Sequence, residues 1–232
     1  MTRLDKLVSD KLNITRKEAK ALIKSGAVNV GGKAAASGDI KCGECDEITV
    51  NGKPLDTRRF VYIMMNKPKG VICATDGKGE KTVLDLLPED MRRKGLFPAG
   101  RLDKDTTGFV LITDDGDFAH SILSPSKHVK KTYIAILDKP VNNSIISDFE
   151  GGMTLGEEKL LPAKLTVIEN CTVQVEISQG IYHQIKRMFS KHRIEVVELK
   201  RTKIGVLELD EKLAEGECRY IQSDEIDKMC KK

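Results

Sequence analysis

The spacing between the β-rich runs restricts the fold of this chain more than any other feature. Runs dominated by apolar and β-branched residues recur at 60–65, 108–113, 131–137, 164–168, 172–178 and 194–199. Helical patterns lie near 82–87, 117–123, 142–149, 182–192 and 223–229, so α and β structure are mixed. A parallel strand pair needs a crossover of roughly a dozen residues or more, and several of these runs are joined by far less. Their separations are also too irregular for a strict βα repeat. The expected class is therefore α+β, with residues 60–232 forming a mainly antiparallel sheet flanked by helices.

The first sixty residues follow a different pattern. Leu4, Leu7, Val8 and Leu12 make one apolar helical stripe, with Arg3, Lys6 and Lys11 away from it. Thr15-Arg-Lys-Glu18 has the spacing of a capping box, and the helix it opens buries Ala19, Leu22 and Ile23. Gly26 is placed to end that helix in a left-handed conformation. Short strands follow at 27–30 and 47–50, with turn signals at Gly31-Gly32 and Asn51-Gly52. The spacing predicts a small αα-β domain over residues 1–59. A linker is expected around Pro54–Arg59, before the apolar run that opens the second domain.

Charge is informative through its distribution. The 232 residues hold 39 Lys and Arg against 35 Asp and Glu, and a net of +4 is too mild to identify a nucleic-acid binder. Residues 3–33, however, carry eight basic side chains (Arg3, Lys6, Lys11, Arg16, Lys17, Lys20, Lys24 and Lys33) against three acidic ones. Arg16, Lys17, Lys20 and Lys24 fall largely on the solvent side of the second helix, where phosphates can be held. An ordinary solvated helix face has the same pattern.

No window approaches the roughly 20 apolar residues of a membrane span, and the amino terminus has no signal-like apolar stretch. The expectation is a soluble, cytoplasmic protein. Six scattered cysteines read as free thiols rather than a disulfide framework. Cys42-Gly-Glu-Cys45 has the spacing of half a zinc site or of a redox pair, but no second ligand pair follows. No metal and no cofactor are expected.

One segment concentrates charge, glycine and hydroxyl groups just before an apolar strand: Gly100-Arg-Leu-Asp-Lys-Asp-Thr-Thr-Gly108. Asp103 and Asp105 flank Lys104, with Arg101 two residues ahead of Asp103, and neighbouring cations keep a carboxylate ionised and nucleophilic. Alone, the segment reads more readily as a charged turn.

As a string, Gly100–Gly108 with Phe109 resembles the catalytic motif of pseudouridine synthases, in the branch that modifies ribosomal RNA one site at a time. Asn66-Lys-Pro-Lys-Gly70, Thr113-Asp-Asp-Gly116, His120, Lys131-Thr-Tyr133 and Gly180–Phe189 match further segments in the same order. Arg3-Leu-Asp-Lys-Leu7, Thr15–Ala19, Leu22–Val28 and Val30-Gly-Gly-Lys33 resemble the RNA-binding module named after small-subunit ribosomal protein S4. Together these segments span nearly the whole chain.

The resemblance implies isomerisation of uridine to pseudouridine, with Asp103 as nucleophile at ring carbon 6 or the ribose anomeric carbon. It implies a cation beside that carboxylate at Lys186, where arginine is common in the family, and a base-stacking or proton-handling role for Tyr133. Arg101, His183, Gln184 and Arg187 are implied as substrate contacts and Leu207 as an apolar wall. Successive residues on a helix point about 100° apart, so Lys186 and Arg187 are not expected to face Asp103 together. The His183-Gln184 pair resembles the group acting on 16S ribosomal RNA. Arg3, Lys6, Arg16, Lys17, Lys20 and Lys24 are the implied RNA contacts. The partner is ribosomal RNA or a small-subunit assembly intermediate, with no nucleotide cofactor, and a monomer is expected. Two other readings stay open: action on 23S ribosomal RNA, and a non-catalytic ribosome-assembly factor. A thiol or zinc protein centred on Cys42 and Cys45 is a third.

Overall fold

The computed structural model describes residues 1–43, 46–124, 127 and 129–230. The chain forms two compact units. One comprises Met1–Val61 with Arg93–Gly95, and the other Tyr62–Arg92 with Leu96–Lys232.

The first unit runs β1 (Thr2–Arg3), α1 (Leu4–Leu12), α2 (Arg16–Lys24), β2 (Val28–Val30), β3 (Lys33–Ala34), β4 (Lys41–Cys42), β5 (Ile48–Val50) and β6 (Lys53–Pro54). Leu4, Leu7 and Val8 of α1 meet Ala19 and Ile23 of α2, and this pair packs on Val28, Ile48 and Val50 of the sheet β3-β2-β5-β6. Both sides of the capping box form, since Thr15 Oγ1 accepts from Glu18 N–H and Glu18 accepts from Thr15 N–H. Such a cap is worth about 1 kcal/mol. The stripe ends sooner than its periodicity suggests, because Leu12 sits in the last turn, 38% exposed, where Asn13 already leaves the helix in a left-handed conformation.

The second unit runs β7 (Tyr62–Lys67), β8 (Phe97–Ala99), β9 (Thr107–Thr113), α3 (Gly116–Leu123), β10 (Lys131–Leu137), α4 (Asn143–Gly151), β11 (Thr154–Leu155), β12 (Glu158–Lys159), β13 (Lys164–Glu169), β14 (Thr172–Ile177), α5 (Gln184–Lys191), β15 (Val196–Ile204), β16 (Leu207–Glu208), β17 (Cys218–Tyr220) and α6 (Ser223–Cys230). Its main sheet has the order β13-β14-β10-β15-β9-β7-β17, with β16 on β15 and β8 on β9. Every pairing in it is antiparallel except β9 with β15. The α+β architecture read from the short connections is the one observed.

Strand β9 is buried along its whole length, as expected of a central strand covered on both faces. Its first residues meet β15, Thr107 opposite Lys200 and Gly108 opposite Arg201, and its last three meet β8. The loop feeding β9 is thereby brought against the face that β10 and β15 share. Phe118, Ala119 and Ile122 of α3 pack against Met64, Phe109 and Leu111, while Phe149 of α4 and Phe189 of α5 meet at 4.9 Å between ring centroids.

The pattern at 82–87 does not become a helix. Thr82 and Asp85 bond each other's side chains and backbone within a single turn, Val83 N–H is drawn to Ile72 O, and Pro88 follows at once. Strands β8, β16 and β17 carry no sequence signal, being two or three residues long. Among the described residues no helix is long and apolar enough to cross a membrane.

Candidate active site

The segment 100–106 enters β9 as a loop anchored from beneath. Lys67, the last residue of β7, is fully buried, and its Nζ donates to Thr106 O (2.8 Å), Pro68 O (3.0 Å) and Lys104 O (3.2 Å). Gly70 N–H also donates to Lys104 O, at 2.8 Å. Leu102 N–H points to the buried Sγ of Cys73, 3.4 Å away. Thr106 N–H closes a turn on Asp103 O at 3.1 Å. Burial pushes the Lys67 ammonium below its usual range, while Asp105 and Asp103 act to raise it.

Above this anchor lies a small cleft of about 80 Å³. Arg101, Asp103 and Thr106 line it from the loop, Tyr133 from β10, and His183, Gln184 and Lys186 from the start of α5. Asp103 keeps 29% of its side chain exposed, with Nε2 of His183 3.4 Å from Oδ1. His183 holds this position in a left-handed conformation at φ 49°, immediately before α5. Such a backbone costs a non-glycine residue on the order of 1 kcal/mol. Its ring stacks on Tyr182 at 3.8 Å, and Tyr182 is 70% exposed. Gln184 is buried, with Oε1 accepting from Ile181 N–H at 3.4 Å.

Several expected placements change. Lys186 lines the cleft but pairs with Asp105, Nζ to Oδ2 at 2.5 Å, so the group beside Asp103 is His183. The Lys186 hydrogen bond holds the Asp105 carboxyl below its ordinary range. Arg187 points elsewhere, to Glu158 at 2.7 Å and to the carbonyls of Tyr182 and Leu155. The turn of about 100° between neighbours on α5 accounts for this split. Leu207 does not wall the cleft and packs instead on the cluster holding Met64, Phe109 and Ile204.

In the first unit Asp5 gathers the predicted cations. Its side chain is shielded from solvent and accepts from Arg3 (2.9 Å) and Arg16 (2.9 Å), with Lys20 3.8 Å away. The Arg3 hydrogen bond, helped by Arg16 against the cost of burial, holds the Asp5 carboxyl far below its ordinary range. Arg16, Lys17, Lys20 and Lys24 are all exposed. Lys6 lines a separate open groove of about 1110 Å³, along with Lys11, Arg59, Arg93 and Lys94. Cys42 is a buried free thiol, and Cys45 lies outside the described residues. Among the described residues no group of three or more His, Cys, Asp or Glu side chains is arranged to hold a metal ion.

Residues 61–191 match the RNA pseudouridylate synthase family, and residues 2–48 match the S4 domain. The chain belongs to the RNA pseudouridylate synthase family. It is 46% identical to a Bacillus subtilis protein named uncharacterized RNA pseudouridine synthase YtzG, over 97% of this chain and 96% of that one. It is 42% identical to ribosomal small subunit pseudouridine synthase A of Escherichia coli, over 97% and 98%. A crystal structure of a pseudouridylate synthase aligns with 99% of this chain and 100% of its own, at 38% identity and a TM-score of 0.70.

Within this pseudouridine synthase, several neighbours of the cleft escaped the sequence reading, among them Ile177 and Leu199, which supply the apolar wall expected of Leu207. Lys67 lies in the matched string Asn66–Gly70, but only the fold shows its three carbonyl partners. Thr106 Oγ1 is buried in the cleft with no hydrogen-bond partner. Arg201 sets a guanidinium 3.5 Å from the Tyr133 hydroxyl. Tyr182 presents its ring beside His183, and an exposed aromatic next to a predicted site was its one available signal.

Lys67→Met keeps the volume and removes the donor shared by three carbonyls, of which that of Thr106 sits in a buried bond. Leaving buried carbonyls unsatisfied costs about 1–3 kcal/mol. The expected outcome is a melting temperature lowered by several degrees together with lost activity, checked by calorimetry and turnover. An unchanged melting temperature would show that the anchor is dispensable.

Proposed function

We propose that this enzyme converts uridine to pseudouridine in ribosomal RNA of the small subunit, 16S ribosomal RNA, with Asp103 as nucleophile. The observation that carries the assignment of roles is the convergence of Asp103, Tyr133 and the start of α5 on one cleft. Near-full-length likeness to proteins named for the small subunit supports the target.

The reaction is an isomerisation that consumes no co-reactant. Asp103 adds to carbon 6 of the base or to the ribose anomeric carbon, and the bond from nitrogen 1 to carbon 1′ breaks. The base turns, carbon 5 bonds to carbon 1′, the bond from the Asp103 oxygen to carbon breaks to return the carboxylate, the proton on carbon 5 leaves, and nitrogen 1 gains one. Asp103 must be ionised to attack, and its partial exposure leaves it hydrated when the cleft is empty. Tyr133, with its hydroxyl near Arg201, stacks on the base and assists proton removal from carbon 5. Lys186 holds Asp105, and Arg101 contacts the RNA at the cleft edge. His183 and Gln184 shape the end of the cleft that α5 closes. A stacked base shields its glycosidic bond, so the uridine must leave its stack to reach Asp103.

The S4 unit supplies docking. Asp5 fixes Arg3 and Arg16 while Lys17, Lys20 and Lys24 remain exposed, and Lys6 adds to the nearby groove. A cytoplasmic monomer acting on RNA or an assembling subunit fits this reading. Replacing Lys17, Lys20 and Lys24 together by Ala should weaken RNA binding about tenfold or more and lower the salt slope by roughly two to three. Titrations at several salt concentrations check this, and an unchanged slope would remove those lysines from the interface. The function itself is tested by incubating the enzyme with 16S and 23S ribosomal RNA and with partly assembled subunits, then mapping pseudouridine. New modification confined to 23S ribosomal RNA, or none at all, would overturn the proposal.

A further inference from the structure

Lys131 and Tyr133 lie two residues apart on strand β10 and so share the cleft side of the sheet, since alternate residues share a face. Tyr133 lines the cleft, and so does Ile177, the residue directly opposite Lys131 on β14. Arg201 of β15 stands opposite Tyr133 on the other flank. The two cations are therefore neighbours along one wall of the site.

Both are buried, at 7% exposure for Lys131 and 4% for Arg201. Lys131 makes no side-chain hydrogen bond or ion pair with any described residue. Burial pushes its ammonium below the usual lysine range, and the positive charge of Arg201 adds to that push. Arg201 donates from Nε to Phe109 O at 2.7 Å and approaches the Tyr133 hydroxyl from Nη1, while its Nη2 is buried without a partner. No carboxylate among the described residues pairs with either one.

A buried guanidinium nitrogen without a partner, beside a largely buried lysine with no counter-ion, is costly in an empty protein. Replacing such a group by an apolar one of similar size is commonly neutral or stabilising. Methionine at position 131 would keep the buried aliphatic packing without the cost of the charge. What the pair lacks is a negative charge, and RNA carries one on every phosphate.

We propose that Lys131 and Arg201 form an anion subsite in the wall of the cleft behind Tyr133, which receives a phosphate flanking the inserted uridine. This rests on the function proposed above. With Asp103 and Asp105 at the loop side repelling phosphate, the cation pair orients the nucleotide, its base toward Asp103 and its phosphate toward β10 and β15. Thr106, whose hydroxyl is buried and unpartnered in the cleft, remains for the base or ribose.

The test combines Lys131→Met and Lys131→Arg with RNA containing the mapped uridine, in which the phosphate on either side is replaced by an uncharged methylphosphonate. For the wild-type enzyme, one methylphosphonate position is expected to raise KM about tenfold. Lys131→Met is expected to raise KM about tenfold on unmodified RNA, to leave kcat within threefold, and to lose nothing further at that position. Lys131→Arg should restore KM to within threefold. The free Lys131→Met protein should melt no lower than wild type, and up to about 2–4 °C higher if relief of the buried charge is worth near 1 kcal/mol.

A structural lysine gives the opposite pattern: a lower melting temperature, and a methylphosphonate penalty as large in Lys131→Met as in wild type. Either result overturns the subsite. Should Lys131→Met fail to fold, the proposal is overturned on stability, and wild type insensitive to both methylphosphonates overturns it independently. Failure of the functional reading looks different. Wild type would then form no pseudouridine, while RNA titrations with the same methylphosphonates would still report whether the subsite binds.

Discussion

Asp103→Asn should abolish pseudouridine formation, lowering kcat by at least ~10³-fold while leaving RNA affinity within a few-fold of wild type. The substitution keeps the size of the side chain and removes the charge that the proposed attack requires. It also leaves untouched the contacts that hold the loop, because these run through backbone atoms: Lys67 to the carbonyls of Lys104 and Thr106, and Gly70 N–H to Lys104 O. On the proposed reading affinity resides largely in cations elsewhere, so it should not fall. Release of tritium from carbon 5 of labelled uridine reads the reaction, since that hydrogen leaves when carbon 5 bonds to the sugar. Asp105→Asn is the informative companion. Asp105 is 68% exposed and committed to Lys186, so its loss should cost about tenfold through a displaced lysine. If Asp103→Asn kept more than a tenth of wild-type turnover while Asp105→Asn lost it all, the nucleophile would be Asp105.

The features legible in the sequence were those settled by neighbours along the chain. The capping box at Thr15 and Glu18 needs only four residues, and it forms as read. The run 131–137 is long and apolar, and β10 has those bounds. Convergence of Asp103, Tyr133 and Lys186 on one cleft was legible only through resemblance, since it depends on contacts across eighty residues. Partner choice within the cleft was not legible at all. Whether Lys186 meets Asp103 or Asp105 depends on where α5 starts. The left-handed turn at His183 fixes that start, and no local signal calls for histidine in such a conformation. Arg201 was hidden for a related reason. Its string, Arg201–Leu209, resembles a family motif, but nothing in it singles out the arginine, whose meaning arises only when β15 lies between β10 and β9.

Gly108 shows how the same motif serves the fold as well as the chemistry, and its replacement should have the largest effect on stability. Its φ is +97°, a conformation that side chains rarely adopt. A Cβ built there would stand 2.2 Å from the Arg201 carbonyl oxygen and 2.9 Å from its nitrogen. The obstacle is backbone in a buried sheet, which cannot swing aside as the end of a side chain can. Gly108→Ala therefore forces β9 away from β15 at their two paired positions, Thr107 with Lys200 and Gly108 with Arg201. The left-handed strain contributes about 1–2 kcal/mol. Separation of the strands adds lost hydrogen bonds and a disturbed Phe109, which is fully buried. A total of about 4 kcal/mol or more follows, placing the change among the exceptional ones. The expected result is a melting temperature lowered by roughly 8–16 °C, measured by calorimetry. Activity should fall even in the fraction that stays folded, because the displaced residues join the Asp103 loop to the strand holding Arg201. A melting temperature within two degrees of wild type would mean that β9 and β15 do not meet at Gly108, and would remove the geometric basis for Arg201 beside Tyr133.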